Sequence, residues 1–325
     1  MPTREATVPE RVEARSRWHT TWASELTLAQ FLREEEAQDA HPWAVTHRKH
    51  YIHTSPGEDT FVCSCEILLT ESKAGLVWHL ACLYTPPEKR GKGYANRLLE
   101  DVRKLAGASP VVLYSEIGAK YYEQRGFTAL PGLADLVLPV KEVGVSNAGE
   151  GIRHIPVDAN LMEFFSSSSF PLQERVAAPG TWCLTLTPAR MDWLCTIERF
   201  RAREGVNPPL ACRGATLGES AACVWMGDFH EKELVILYLS AKDGDRGAVG
   251  LLLECAQGVA HAAGLERGVR VWQTDLPTSF VRGESGVGVV HLSPRPGKIP
   301  MVAMPVSPSQ GFVGEWNHPE RALWY

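Results

Sequence analysis

The chain has 325 residues, 44% of them hydrophobic, which is enough for about two domains and a large buried core. Its 33 basic and 38 acidic residues leave a net charge of −5, which argues against general electrostatic binding of nucleic acid or an anionic membrane. The cysteines form no Cys-x-x-Cys pair, the polar start (Met1 to Arg17) does not resemble a signal peptide, and no apolar run reaches membrane-span length. Composition therefore predicts a reduced, soluble, cytoplasmic protein.

The first half has the pattern of a mixed α/β layer. The predicted elements, in chain order, are a helix over Thr27–Asp39, strands over His50–Thr54, Thr60–Leu69 and Gly75–Tyr84, a helix from Tyr94 to about Ala106, a strand over Pro110–Ser115, a short helix over Ala119–Arg125 and one or two strands within Phe127–Pro139. The glycine-rich turn then lies at the carboxyl end of a central strand, where such sheets bind ligands.

The second half repeats part of the first at a constant offset of 154 residues. Val235–Tyr238 lies over Ala81–Tyr84, and the helix residues Leu252–Glu254 lie over Leu98–Glu100. The turn of the second copy carries Asp245, whose carboxylate would repel an anion. We therefore expect two domains, 1–145 and 151–325, with the second a degenerate copy that lacks the anion site.

The strongest chemical signal is the segment from Leu83 to Ala95. A strand ends at Leu83, Tyr84 and Thr85, and a helix begins after the turn formed by Arg90, Gly91, Lys92 and Gly93, with Tyr94 and Ala95 in its first turn. Backbone N–H groups and the positive end of the helix dipole would form a cradle for an anion. The alternative is a basic surface turn that does no more than start a helix.

Arg-x-x-Gly-x-Ala after a buried strand resembles the pyrophosphate-binding motif of the GCN5-related N-acetyltransferases (the GNAT superfamily). The resemblance implies that Arg90 to Ala95 bind the pyrophosphate of acetyl-CoA and that Leu83, Tyr84 and Thr85 pair with its pantetheine arm. It also implies a GNAT fold in the first half and a degenerate GNAT-like domain in the second. Acetyl-CoA would be the co-substrate, and the reaction needs no metal.

A second motif follows at the distance that the superfamily shows. Ser115 to Phe127 resembles Asn-x-x-Ala-x-x-x-Tyr-Glu-Lys-x-Gly-Phe, with Ser115 in place of the Asn and Gly118 in place of the Ala. Tyr122 matches the tyrosine that faces the cofactor sulfur and protonates the leaving thiolate. Taken alone, Tyr122 is more typical of a core or surface aromatic.

Several shorter stretches resemble the fungal lysine N-acetyltransferases, which act in lysine catabolism. They are Cys65-Glu66, the Tyr-Thr-Pro-Pro-Glu before Arg90, and the Leu-Tyr-Ser-Glu-Ile-Gly after the fourth strand. This resemblance implies acetylation of the side-chain amine of free L-lysine in a ternary complex. Other acceptors remain open: a polyamine, an aminoglycoside or a protein lysine. A module that senses acyl-CoA without catalysis also remains open.

The reaction needs a group that removes a proton from the acceptor ammonium, since a lysine amine has a pKa near 10.4. Glu66 is the first candidate, either as base or as anchor of the ammonium, and His79 is the second. Both also fit structural roles, as an edge-strand charge and as a sheet histidine. His47, His50 and His53 alternate faces on a strand, so a metal is not expected. Arg321, in the segment Glu315–Tyr325, is a candidate to cover the cleft; the oligomeric state is not predicted.

Overall fold

The structure is a computed structural model that describes residues 2–58, 60–72, 75–130, 135–142, 151–168, 170, 181–182, 184–272, 291–293, 299–305 and 315–316. The helices in these ranges are α1 (Val8–Trp22), α2 (Leu28–Asp39), α3 (Pro42–His47), α4 (Tyr94–Ala106), α5 (Ala119–Glu123), α6 (Leu161–Ser167), α7 (Pro188–Arg203) and α8 (Arg246–Ala262). The strands are β1 (Thr3–Glu5), β2 (Arg48–His53), β3 (Cys63–Ser72), β4 (Gly75–Tyr84), β5 (Val111–Ser115), β6 (Thr128–Ala129), β7 (Asp135–Leu138), β8 (Ile152–Ile155), β9 (Thr181–Trp182), β10 (Gly214–Leu217), β11 (Ala221–Asp228), β12 (Glu233–Ala241), β13 (Gly268–Trp272), β14 (His291–Ser293), β15 (Ile299–Ala303) and β16 (Glu315–Trp316).

Fourteen of these strands form two mixed sheets with the same plan, and β9 pairs with β16 in a separate two-stranded sheet. The first has the order β1-β2-β3-β4-β5-β15-β6, and the second has the order β14-β7-β13-β12-β11-β10-β8. In each, two inner strands run parallel, β4 with β5 and β12 with β13, and a helix (α4 or α8) connects them. The predicted α/β class with a repeated fold is therefore confirmed.

The apolar faces of α4 and α8 build the two main cores. Leu98 and Val102 of α4 pack with Ile67 and Leu113 of the first sheet, and all four side chains are fully or almost fully buried. In the second half, α8 packs in the same way against β10 to β13. Because each core lies behind the parallel strand pair, the carboxyl ends of those strands stay available for a ligand.

The two halves exchange strands. β7 follows the first sheet in the chain but pairs with β13 of the second, with Val137 opposite Arg270. β15 comes from the carboxyl-terminal region but enters the first sheet between β5 and β6, with Met301 opposite Leu113. The prediction that 127–139 completes the first sheet is thus right for β6 and wrong for β7, because pairing partners far along the chain decide the placement.

The prolines after Leu292 are typical of extended chain or of an edge strand, but one of them lies in an inner strand of the first sheet. Pro300 lies in β15, an inner strand, opposite Tyr114. The Pro300 carbonyl accepts the Leu130 N–H (2.9 Å), so the side of Pro300 that lacks a donor faces the end of β6. The missing N–H therefore interrupts no bond of the ladder.

Helix α1 was not predicted, since its sequence is polar. Its start carries a capping box between Thr7 and Glu10, with Pro9 in the first turn. Thr27 caps α2 by accepting the Gln30 N–H at 3.2 Å, as expected for a Thr that is followed three residues later by Gln. β4 and α4 have the predicted bounds.

Candidate functional site

The site begins where two parallel strands separate. β4 and β5 pair at Trp78 with Val111 and at His79 with Val112. Beyond this point β5 continues beside β15, while β4 runs on to Tyr84 beside β3. The strands therefore open a wedge, in which the edge of β4 is free to pair with an extended ligand.

A β-bulge lies in this part of β4. Ser64 pairs with Tyr84 and Glu66 with Ala81, so Cys82 and Leu83 together lie opposite one residue of β3. Cys82 has φ = 48°, a left-handed conformation that is uncommon for a residue other than glycine. A bulge leaves backbone groups unpaired and redirects side chains, so we expect an N–H donor for a ligand near Leu83.

The predicted anion cradle follows the wedge. Gly91 and Gly93 both have φ = 77°, and α4 begins at Tyr94 with Gly93 as its N-cap, so its first N–H groups have no side chain above them. Arg90 Nε donates to the Thr85 carbonyl at 3.0 Å and ties the turn to the strand end. The turn therefore presents donors and positive charge at one point.

Wedge, bulge and turn open into one cavity of about 1140 Å³, called here the central cavity, which residues of both halves line. Its size suits a cofactor together with a small substrate. We call the part that adjoins the turn and Tyr122 the basic end, because Lys89, Arg90 and Arg125 line it. The part between β3, α2, α7 and the end of β11 is the acidic end.

Most of the predicted cofactor residues line the basic end. They are Leu83, Tyr84, Thr85, Arg90, Gly91, Gly93, Tyr94 and Ala95. Lys92 is absent from this lining; it is exposed, with its Nζ 4.0 Å from Glu58 Oε1. Ser115 is buried and its hydroxyl donates to the Gly118 carbonyl at 2.7 Å, so it shapes the turn before α5 rather than the cavity wall.

Tyr122 lines the basic end from α5. Its ring is almost fully buried and packs edge-to-face against Tyr121 and Phe127. Burial, together with the nearby Tyr121, raises the pKa of the Tyr122 phenol. Its hydroxyl therefore carries a proton throughout the neutral range.

The acidic end holds many carboxylates. The acidic residues in its lining are Glu25, Glu34, Glu35, Glu66, Glu198, Asp228 and Glu231. Arg48 and Arg201 supply positive charge there. The net charge of −5 gave no sign of this concentration, because the charges are spread along the sequence and meet through the fold.

Glu66 lies in a buried ion network. Its Oε1 accepts from Arg48 Nε at 2.5 Å and lies 2.9 Å from His50 Nε2. Arg48 in turn binds Glu35 at 2.8 Å and Asp39 at 3.2 Å. Burial alone would raise the pKa of Glu66, but Arg48 and His50 outweigh it and hold the pKa well below its usual range.

His79 stands on the same sheet face as Glu66. The register sets Glu66 opposite Ala81 and Leu68 opposite His79, so both candidate bases line the acidic end from neighbouring strands. Burial, with a smaller effect of Arg190, lowers the pKa of His79 to about 3. Its Nδ1 is buried and has no hydrogen-bond partner in the described part of the chain.

In the second half, the turn before α8 corresponds to the turn before α4, but the side chain of Asp245 caps the helix there. Asp245 caps α8, and its Oδ1 accepts the Ala248 N–H at 3.1 Å. A built-in anion therefore occupies the position that the first turn leaves to a ligand. This arrangement agrees with the expectation that the second copy does not bind the same ligand.

Sequence reasoning missed the contribution of two regions to this site. Trp18 and Trp22 of α1 line the central cavity, and so do Trp193 and Arg201 of α7. The capping box at Thr7 could have revealed α1, whereas the α7 residues carry no motif. Of the segment Glu315–Tyr325, all but 315–316 lies outside the described residues.

Within the described ranges, no three His, Cys, Asp or Glu side chains lie together in a way that could hold a metal ion. In the same ranges, each helix is too short or too polar to cross a membrane.

Comparisons with known proteins agree with this geometry. The family described as the LYC1 GNAT-like C-terminal domain matches residues 167–324. A lysine acetyltransferase of Yarrowia lipolytica is 25% identical, over 73% of this chain and 75% of the relative.

Solved structures of low identity share the fold over most of this chain. A probable N-acyltransferase from Enterococcus faecalis V583 superposes with a TM-score of 0.55 at 12% identity, over 93% of this chain and 72% of the other. A GCN5-related N-acetyltransferase from Kribbella flavida gives 0.54 at 16%, over 93% and 72%. A tandem GNAT protein of clavulanic acid biosynthesis gives 0.51 at 13%, over 93% and 98%. Together with the motifs of the first half, the family match in the second half supports membership of the GCN5-related N-acetyltransferase superfamily.

Proposed function

We propose that the protein transfers the acetyl group of acetyl-CoA to the side-chain amine of free L-lysine, by direct attack in a ternary complex. The observation that carries this proposal is the central cavity, in which the β4 wedge, the bulge at Cys82, the turn before α4 and Tyr122 meet an acidic end. Two substrates can therefore meet there without a covalent enzyme intermediate.

The basic end is the proposed site of the cofactor. The pyrophosphate would lie at the N-terminus of α4, beside Arg90, and the pantetheine arm would pair with β4 along the wedge. The thioester carbonyl would then reach the bulge, where an unpaired N–H near Leu83 stabilises the oxyanion.

We expect Arg90→Ala to weaken acetyl-CoA binding about tenfold, because a charge-assisted contact to phosphate is lost. Isothermal titration calorimetry measures this affinity directly. The matched control is Lys242→Ala in the closed turn of the second half, which should bind acetyl-CoA like the unchanged protein. Equal affinities of the two variants would contradict the cofactor assignment.

Tyr122 is the proposed general acid that protonates the leaving thiolate. Tyr122→Phe keeps the buried ring and removes the proton donor, so kcat should fall about 100-fold or more while acetyl-CoA affinity changes little. Stopped-flow measurement of thiol release and calorimetry together test this separation. A kcat within twofold of the unchanged enzyme would remove Tyr122 from the mechanism.

Because Glu66 is anionic, it is better suited to anchor the ammonium of the acceptor than to act as the base. A carboxylate whose pKa lies well below its usual range is a weak base, but it holds a cationic amine well. His79, with a pKa of about 3, is also a weak base. We therefore propose that Glu66 anchors the acceptor amine and that a water molecule at His79 carries its proton away.

This assignment predicts a pH profile without an ionisation of either residue. Both have lowered pKa values, so Glu66 stays anionic and His79 stays neutral above pH 5, and neither changes charge between pH 5 and 9. The rise of kcat/KM with pH should follow the acceptor amine and shift to lower pH with an acceptor of lower pKa. If kcat/KM rose at the same pH for acceptors of different pKa, the assignment of Glu66 and His79 would be contradicted.

The acidic end also favours a second candidate, a polyamine acceptor. Seven carboxylates line that end, and a polycation would need several of them. A thiol-release assay with acetyl-CoA against the free amino acids, polyamines and a histone-tail peptide separates the candidates. Lysine as the best acceptor supports the proposal, and no thiol release with any amine would favour an acyl-CoA sensor.

A further inference from the structure

We infer that Arg201 and Asn207, in the second half, bind the α-carboxylate of the acceptor and make the enzyme select an α-amino acid over a diamine. This inference rests on the proposed acetylation of free lysine. It concerns the opposite end of that substrate from the reacting amine.

The acidic end contains two arginines, and they differ in how firmly they are held. Each nitrogen of Arg48 binds a different carboxylate, those of Glu66, Asp39 and Glu35, and the side chain is 4% exposed. Releasing one of these partners would leave a buried charge uncompensated. Arg48 is therefore part of the wall and is not available to a substrate carboxylate.

Arg201 has one partner that it can exchange. Its Nε and Nη2 bind the buried Glu34 at 2.6 and 3.0 Å, whereas its Nη1 binds Glu25 at 2.8 Å. The Glu25 side chain is 35% exposed, so water can solvate it when it leaves Nη1. A substrate carboxylate that takes its place preserves the charge balance at Arg201.

The end of α7 brings the backbone of a second cavity-lining residue, Asn207, next to that of Arg201. The Arg201 carbonyl accepts the N–H groups of Val206 at 2.9 Å and Asn207 at 3.3 Å, which folds the chain back after the helix. Asn207 lines the cavity, and its Nδ2 is buried without a hydrogen-bond partner among the described residues. An unpaired buried donor is costly, and a carboxylate at Arg201 would satisfy it.

This pair of donors among acidic side chains suits the head group of an α-amino acid. The carboxylate would bind Arg201 and Asn207, and the displaced Glu25 would remain close enough to pair with the α-ammonium. The ion pairs continue from Arg201 to Glu34 on α2 and, from the adjacent Glu35, through Arg48 to Glu66. The residues proposed to hold the two ends of lysine, Glu66 and Arg201, therefore line the same acidic end of the central cavity. A diamine has no carboxylate to accept from Arg201 or from Nδ2 of Asn207.

The experiment compares L-lysine with 1,5-diaminopentane, which is lysine without its carboxylate. The readout is the ratio of the two kcat/KM values, measured by thiol release. The unchanged enzyme should prefer lysine, and Arg201→Gln should lower the ratio about 10- to 100-fold. Arg33→Gln is the matched control, because it also breaks an ion pair between the halves, with Glu204, but lies outside the cavity lining. Its ratio should stay within twofold of that of the unchanged enzyme.

A second variant tests the same inference if Arg201→Gln does not fold. Asn207→Leu keeps the size of the side chain and removes the amide donor, so its ratio should fall several-fold with acetyl-CoA affinity unchanged. An unaltered ratio in either folded variant, or equal use of both acceptors by the unchanged enzyme, would overturn the inference alone. No acetylation of lysine by the unchanged enzyme would overturn the proposed function, and the inference with it.

Discussion

Arg48→Ala should lower the free energy of unfolding by about 3–5 kcal/mol, because it leaves buried carboxylates without their cation. Arg48 binds Glu35, Asp39 and Glu66, and Arg15 can compensate Glu35 and Asp39 but does not reach Glu66 in the structure. Urea denaturation of the two proteins at pH 7 measures the difference.

The matched control for this prediction is Arg4→Ala, which breaks an ion pair near the surface. Arg4 binds Glu10 at 2.6 Å, but the arginine side chain is about half exposed. Exposed pairs of this kind contribute about 0–1 kcal/mol. If Arg48→Ala destabilised the protein no more than Arg4→Ala, the buried ion network would not stabilise the fold. Another group than Arg48 would then have to keep Glu66 anionic.

A chain cut after residue 142 should not fold in either piece. Residues 2–142 lack β15, so β5 and β6 lose the strand between them, and residues 151–325 lack β7. Each sheet would then be split at an inner position, and its core would be open to water. We expect neither fragment alone to give a cooperative thermal transition.

The complementary experiment expresses both fragments together. If the exchanged strands hold the two halves together, the two co-expressed fragments should form a complex that melts cooperatively and binds acetyl-CoA. A fragment 1–142 that folds alone and binds acetyl-CoA would instead support the sequence-based boundary, with autonomous domains at 1–145 and 151–325.

Local chemistry made part of this architecture predictable. The anion cradle depends on Gly91, Gly93 and the start of α4, which are contiguous, and the position of Tyr122 follows from a second contiguous motif. The cap of α2 likewise depends only on residues 27–30, because the Thr27 hydroxyl accepts the Gln30 N–H. Such features are fixed by nearby residues, so the sequence alone reveals them.

What could not be predicted depends on contacts between distant residues. Nothing in the local sequence of β7 or β15 distinguishes one sheet from the other, since both are short apolar strands. The ion network joins Arg15, Arg48 and Glu66 from three elements, and Arg201 arrives from the second half. The sequence identified Glu66 as a carboxylate of interest but not the cation that fixes its charge.

The exchange of strands has a consequence for synthesis on the ribosome. β5 ends at Ser115, but its partner β15 begins at Ile299. At translation rates of about 5–20 residues per second, the edge of β5 waits on the order of 10 to 40 s for its neighbour. During that time the nascent chain presents an unpaired, apolar strand edge, which other chains can pair with. The yield of folded protein should therefore depend on chaperones that cover this edge until β15 emerges.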